Sequence, residues 1–182
     1  MVKNISVRNL RSNLSGVLNK VSKHFDRYVV LKRGEPEAVI MSIEDYEGWL
    51  ETLEIMSSKE AMADIKAAKK ELKAGKGVSF DEVFGKPKKF KKASWDMASY
   101  SIEIAPRAIK QINNLPVRVK SKVGDTIYNV IALNPFIGKP LKADLKGLYS
   151  YRLGDYRIIY NILKSKLIIQ IIKVMHRREV YR

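Results

Sequence analysis

A basic, proline-containing run divides this chain into two parts that do not share one regular pattern. Residues 87–92 read PKKFKK, and Gly75 and Gly77 interrupt a helical pattern ahead of them. Such a run is typical of an exposed linker, because it offers no apolar face to a core. A new pattern begins near Met97. We therefore expect four parts: residues 1–56, a segment 57–84, a linker 85–97 and a second domain 98–182.

The first part has the pattern of a small α/β unit. Ser6 precedes apolar residues at helical spacing, which predicts a helix over about 7–25. Two β-rich runs, 27–31 and 38–41, then flank a basic hairpin tip. Ser42 and Asp45 resemble a capping box that starts a second helix. A unit of about 55 residues buries little surface, so we expect it to dimerise.

Segment 57–84 has a narrow apolar stripe. Met62, Ile65 and Leu72 are its sparse apolar positions among Ala, Lys and Glu, and Ser79 with Glu82 then starts a short amphipathic turn. That turn carries three large apolar residues, Phe80, Val83 and Phe84. A helix with so narrow a stripe needs a partner surface.

The second domain reads as helices followed by strands, which predicts an α+β fold. A strand at 100–104 precedes a helix that starts at Pro106 and a second helix with apolar residues from Val119 to Ile131. Three strands follow, at 148–153, 156–162 and 167–174. The last run is almost wholly apolar, which favours a central strand covered on both faces.

Charge points to a polyanionic partner. The chain carries 35 Lys and Arg against 19 Asp and Glu, a net charge of +16. Residues 98–182 hold 16 basic and 5 acidic side chains, so the second domain is the stronger binder of nucleic acid. Without cysteine, disulfides, thiolate metal sites and a Cys nucleophile are excluded, and we expect no metal or cofactor. No apolar run approaches the roughly 20 residues of a membrane span, so we expect a cytoplasmic protein without membrane contact.

A predicted hairpin brings basic residues together. Gly154 and Asp155 suit a two-residue type II′ turn, which sets Arg152 opposite Arg157. Like charges directly opposite are unfavourable, so the pair is a candidate anion site. A three-residue loop at 164–166 would place Lys173 opposite Arg157, with Arg177 on the same face and Tyr181 just beyond. A solvated basic face remains the alternative. A basic face rimmed by Tyr suits RNA.

Two motifs carry a resemblance to RelE-type toxins over residues 98–182. They are GDYRIIY at 154–160 and HRREVYR at 176–182. The resemblance implies a small twisted antiparallel sheet with two N-terminal helices, and cleavage of messenger RNA in the ribosomal A site. The RNA 2′-OH would attack the adjacent phosphate, and the arginines would stabilise the developing charge.

By motif, the catalytic residues are Arg157, Arg177 and Tyr181, and Arg152 takes a lysine position of the pattern. Ser150 replaces a second lysine, which leaves the general base open. The remaining RNA-binding candidates are Lys142, Lys146, Lys173 and Arg178. His176 is a possible acid or base by residue type, although the motif favours its neighbours.

Residues 1–60 resemble the Phd/YefM antitoxins. The matching runs are ISVRNLRSNLSGVLNKV at 5–21 and VLKRGEPEAVIMSIEDYE at 30–47. The resemblance implies a homodimer that binds operator DNA and represses its own synthesis. Arg11 and Lys32 match basic DNA-contact positions, with Arg8 and Arg33 beside them; ordinary surface charge is the alternative for each. In this family the following tail wraps its toxin. For this chain both arrangements stay open, inhibition within one chain and inhibition between chains of a dimer.

For segment 57–84 we expect Phe80, Val83 and Phe84 to anchor the tail through apolar contact and not through charge. Two other functions stay open. One is a ParE-like poison of DNA gyrase without nuclease activity, and the other is a repressor whose C-terminal part only binds.

Overall fold

The computed structural model describes residues 2–85 and 100–176, and these residues form two compact units that divide between Leu50 and Glu51. The division falls inside a helix and ahead of residue 56, where the first domain was expected to end. The predicted linker 85–97, apart from Gly85, lies outside the described residues. No helix among the described residues is long and apolar enough to cross a membrane.

The first unit is a three-stranded sheet with short helices. Its elements are β1 (Val2–Ser6), α1 (Val7–Ser12), α2 (Leu14–His24), β2 (Arg27–Lys32), β3 (Glu35–Ile40) and the start of α3 (Ile43–Met56). Ser6 caps α1 by accepting from the backbone N–H of Asn9. The helix predicted over 7–25 is broken at Asn13, whose φ of −136° is not helical. Strand β1 was not predicted, since it is short and pairs with β2 in parallel.

The strands of the first unit lie in the order β1-β2-β3, and only a small core is buried beneath them. Val17, Val21 and Tyr28 form that core. The Ser42 hydroxyl accepts from the backbone N–H of Asp45, as the predicted helix start requires. Large apolar side chains stay exposed in this unit, namely Val2, Val7, Leu14, Leu18, Phe25, Val39, Ile43, Tyr46 and Leu50.

The second unit combines the end of α3 with the remaining elements. These are α4 (Lys59–Lys73), β4 (Val78–Ser79), α5 (Phe80–Phe84), β5 (Ser101–Ile104), α6 (Pro106–Asn113), α7 (Val117–Thr126), β6 (Lys139–Pro140), β7 (Leu148–Leu153), β8 (Tyr156–Leu163) and β9 (Ile168–His176). A π-helical turn, Ile127–Ile131, continues α7. Pro106 opens α6 and the Ser79–Glu82 capping box opens α5, as predicted.

One six-stranded sheet, in the order β4-β5-β9-β8-β7-β6, organises the second unit. Strand β9 is central and almost wholly buried, as its apolar run predicts. The sheet is not antiparallel throughout, because β5 pairs with β9 in parallel. Helices α4 and α6 both pack on β9 and on each other. The α+β architecture expected from the sequence is therefore present, with one parallel strand pair added.

The register of the hairpin β7–β8 agrees with the turn prediction, but that of β8–β9 does not. Gly154 adopts a φ of 59°, and Arg152 faces Arg157. Lys173 faces Ile159 and not Arg157, so that prediction is wrong. Leu167 belongs to the loop, with a φ of 52°, and a bulge follows Ile159. Lys173 nonetheless keeps the sheet face of Arg157, as its diagonal neighbour.

Candidate nucleic-acid site

Two arginines and a serine of the β7–β8 hairpin converge on one carboxylate. Ser150, Arg152 and Arg157 share a face of the sheet. Glu51, in the last turns of α3, accepts from Ser150 Oγ at 2.7 Å, Arg152 Nε at 2.9 Å and Arg157 Nε at 2.5 Å. This carboxylate relieves the repulsion between the opposed arginines. The three donors therefore form a binding site for one oxyanion.

The pair of Arg157 and Glu51 at the centre of this cluster is buried, which strengthens the attraction between their charges. The Arg157 side chain is 1% exposed and that of Glu51 is 0% exposed. Glu54 adds a second ion pair, with Nη2 of Arg157. Burial alone raises the pKa of the Glu51 carboxyl, but hydrogen bonds from Ser150 and Arg152 and the charge of Arg157 outweigh it, so that pKa lies below its ordinary value. Glu51 is thus held as an anion.

Asp64 of α4 forms a second cluster on the same sheet. Its carboxylate accepts from Lys173 Nζ at 2.6 Å, Gln111 Nε2 at 2.8 Å and Arg107 Nη1 at 2.5 Å. Burial raises the pKa of Asp64, while hydrogen bonds from Lys173 and Arg107 lower it by more, so the pKa lies below its ordinary value. The carboxylate therefore bridges strand β9 and helix α6 as an anion.

Sequence reasoning missed these three carboxylates, because it expected apolar contacts in place of charged ones. The structure contains both kinds. A signal was present in α4, where Asp64 lies among the buried residues Ala61, Ile65, Ala68 and Leu72. An acidic residue at a core-facing position requires a cation on the surface it meets. Glu51 and Glu54 carry no comparable local signal.

The predicted apolar anchor, residues 80–84, packs against helix α7 and the π-helical turn that follows it. Phe80 is buried, stacks on Phe84 with ring centroids 4.9 Å apart, and lies 5.2 Å from the ring of Tyr128. A Cβ atom added to Gly124 would lie 2.8 Å from Cδ1 of Phe84, so glycine is what allows this close approach. Val83 packs on the same core.

The other RNA-binding candidates are not all gathered at these clusters. The backbone N–H of Lys142 donates to Thr52 Oγ1 at 2.8 Å, beside the end of α3. Lys146 is exposed, and His176 lies edge-on to Tyr156 at 4.9 Å. Arg177, Arg178 and Tyr181 lie outside the described residues. Their predicted roles therefore remain predictions.

The four DNA-binding candidates all lie on the surface of the first unit. Arg8 and Arg11 are exposed on α1, and Arg33 occupies the exposed hairpin tip. Lys32 is also exposed, but its Nζ lies 3.0 Å from Glu37. A DNA phosphate would have to compete with this carboxylate.

Family models match both parts of the chain. Residues 3–75 match the Phd_YefM antitoxin of type II toxin-antitoxin systems. Residues 102–181 match the ParE toxin of the type II toxin-antitoxin system parDE. The two matches lie on opposite sides of the predicted linker in the sequence.

Curated relatives and a solved structure come from Mycobacterium tuberculosis. Toxin RelE is 33% identical over 84 residues, which is 46% of this chain and 87% of that protein. Toxin RelG is 31% identical over 84 residues, covering 46% of this chain and 97% of that protein. The crystal structure of the toxin-antitoxin complex RelBE2 is 29% identical and covers 43% of this chain and 99% of that one, with a TM-score of 0.42.

Proposed function

This chain belongs to the RelE toxin family and joins its toxin to an N-terminal Phd/YefM antitoxin, and from this premise we propose that residues 98–182 are a ribosome-dependent messenger RNA endoribonuclease. In the fused state residues 51–84 hold it inactive. The first unit binds operator DNA as a homodimer and represses its own synthesis.

The carboxylate of Glu51 among Ser150, Arg152 and Arg157 is the observation that carries the nuclease proposal. Arginine forks bind carboxylate and phosphate oxygens with the same geometry. A site that binds one oxyanion with two guanidinium groups can therefore bind a phosphodiester. With Glu51 seated there, the RNA phosphate is excluded.

The reaction is an attack of the ribose 2′-OH on the adjacent phosphorus. A base removes the 2′-OH proton, the P–O5′ bond breaks, and an acid protonates the departing 5′-oxygen. Arg152 and Arg157 stabilise the negative charge that builds on the phosphate oxygens, which is commonly the largest catalytic effect. The motif assigns Arg177 to the same charge and Tyr181 to proton transfer or base stacking. Ser150 at a lysine position leaves the base to another residue.

Primer extension on translated messenger RNA tests the proposal. Segment 98–182, expressed in cells, is expected to arrest growth and to cut messenger RNA on ribosomes. Arg157→Ala should abolish cleavage, whereas Arg118→Ala, which removes an exposed arginine of α7, should leave it intact. Equal cleavage by both variants would contradict the assignment of Arg157.

A gyrase-inhibiting toxin is the second candidate, because the family model matched by residues 102–181 describes ParE. That function needs no oxyanion site on the sheet. The same segment is therefore tested for trapping gyrase on plasmid DNA. Trapped gyrase together with intact translated RNA would contradict the nuclease proposal and support inhibition of gyrase.

A further inference from the structure

We propose that Arg107, Gln111 and Lys173 form a second phosphate-binding site for RNA, separate from the site of Arg152 and Arg157, and that Asp64 fills it in the fused state. This inference rests on the proposed function, since it extends the path of the same RNA strand. It assigns a role to α6, which the sequence motifs leave without one.

The three donors belong to the toxin and not to the antitoxin segment. Arg107 and Gln111 project from α6 and Lys173 from β9, whereas their shared acceptor, Asp64, lies on α4. Among residues 100–176, no carboxylate makes an ion pair or hydrogen bond with Lys173. The toxin therefore supplies the cations and the amide, and the anion comes from elsewhere.

Gln111 is already oriented toward an anion. Its Oε1 accepts the backbone N–H of Val174 at 3.1 Å, which turns Nε2 toward the carboxylate of Asp64. The Lys173 side chain is 4% exposed, so its ammonium group has few directions open to it. A preorganised set of donors loses little conformational entropy when it binds a ligand.

An open cavity of about 510 Å³ adjoins this cluster. Asp64, Gln111 and Lys173 line it together with Tyr156 and His176. The cavity is large enough for a phosphate group or a nucleotide, and aromatic side chains in its wall offer a surface for a base. Once Asp64 is substituted, a small anion can therefore reach Lys173 through this cavity while α4 stays in place.

The site continues the path of the Arg152–Arg157 site. Lys173 is the diagonal neighbour of Arg157 across β8 and β9, a relation that separates residues by about 7–8 Å. A basic groove that follows the backbone of a single strand contacts several phosphates in succession. One RNA strand can therefore contact both sites.

Inorganic phosphate is the first probe, applied to the full-length chain. For an affinity of about 1 mM, about 10 mM phosphate should raise the melting temperature of Asp64→Ala by roughly 3–5 °C over chloride at equal ionic strength. The melting temperature of the wild type should rise less with phosphate. Adding Lys173→Met to Asp64→Ala should remove the phosphate-dependent rise. Asp26→Ala, which breaks the ion pair with Lys3 in the first unit, is the matched control. The same shift in the control or in the double variant overturns the site.

Single-stranded RNA is the second probe, and Asp64→Asn, which keeps the side-chain shape, replaces Asp64→Ala in both experiments if Asp64→Ala is too unstable. In full-length Glu51→Ala/Asp64→Ala, adding Lys173→Met should lower the slope of log affinity against log salt by about 0.7, the value for one phosphate contact. An unchanged slope in a variant that still binds RNA overturns the second site and leaves the proposed function intact. Phosphate binding without RNA binding restricts the cluster to free anions and overturns the inference as stated.

Discussion

At the scale of single residues, a fully buried guanidinium is matched to a fully buried carboxylate. Arg157 is 1% exposed and Glu51 is 0% exposed. Breaking such a pair leaves an uncompensated charge in a medium of low polarity, which costs more than the pair itself contributes. The stability of this chain and the inhibition of its toxin should therefore depend on Glu51 more than on any exposed acidic residue.

Glu51→Gln keeps the side-chain shape but removes the charge opposite Arg152 and Arg157. We expect the free energy of unfolding of the full-length chain to fall by about 3 kcal/mol, which corresponds to a fall of roughly 6–12 °C in its melting temperature. Its expression should also slow growth, because the Arg152–Arg157 site is less firmly closed. Glu44→Gln, at an exposed position of α3, should change neither property. Equal effects of the two variants would remove Glu51 from its proposed role.

The lowered pKa of Glu51 predicts how this contribution depends on pH. Its ordinary value is 4.5 and its pKa in the folded chain lies lower, so on acidification the unfolded chain takes up the proton first. The stabilisation is complete above about pH 4.5 and is lost as the pH falls through the lowered value. Melting temperatures of wild type and Glu51→Gln should therefore converge below pH 4.5. A gap that stays constant from neutral pH to pH 3.5 would contradict this.

At the scale of elements, local signals predicted what lies close in sequence. The turn at Gly154 and Asp155 fixed the Arg152–Arg157 pair, because a two-residue loop leaves one register. Lys173 was misplaced because neither the extra loop residue Leu167 nor the bulge after Ile159 has a comparable local signal. The partnership of Glu51 with the arginines joins residues about a hundred positions apart, so neither periodicity nor capping could predict it.

The apolar anchor α5 and the carboxylates should contribute separately. Phe80→Ala should destabilise the full-length chain by about 3 kcal/mol, and the half-buried Phe84 should contribute less. In the double variant Phe80→Ala/Phe84→Ala, Glu51 keeps its three donors. This variant should therefore release less toxicity than Glu51→Gln does. Growth curves of cells expressing each variant measure this order. If the double variant is the more toxic, apolar contact dominates the inhibition.

At the scale of the whole molecule, the exposed apolar side chains of the first unit support the proposed dimer. Leu14 and Leu18 are about half exposed and lie one turn apart on α2. Neighbouring exposed apolar side chains of this kind are typical of a protein interface. The hydrophobic core cluster of the unit has three buried residues, which is few for independent stability, so a second copy would complete its core.

Charges placed in this surface should separate the copies. Leu14→Glu/Leu18→Glu is expected to give a monomer in analytical ultracentrifugation and to weaken operator binding, because each half-site would then be bound alone. Asn19→Glu, exposed on the same helix, should leave the dimer intact. In the dimer, Arg11→Ala/Lys32→Ala should weaken binding and flatten its salt dependence, as phosphate contacts are lost. A double-Glu variant that remains dimeric would place the interface elsewhere.

Strand β4 has a consequence for the fate of a toxin that loses its antitoxin. Val78 and Ser79 pair with Ile104 and Glu103 of β5, so the antitoxin segment covers the edge of the toxin sheet. Proteolysis of that segment would bare a strand whose N–H and C=O groups can template association with another copy. Freed toxin should therefore self-aggregate in proportion to its concentration, which would limit how long the active species persists.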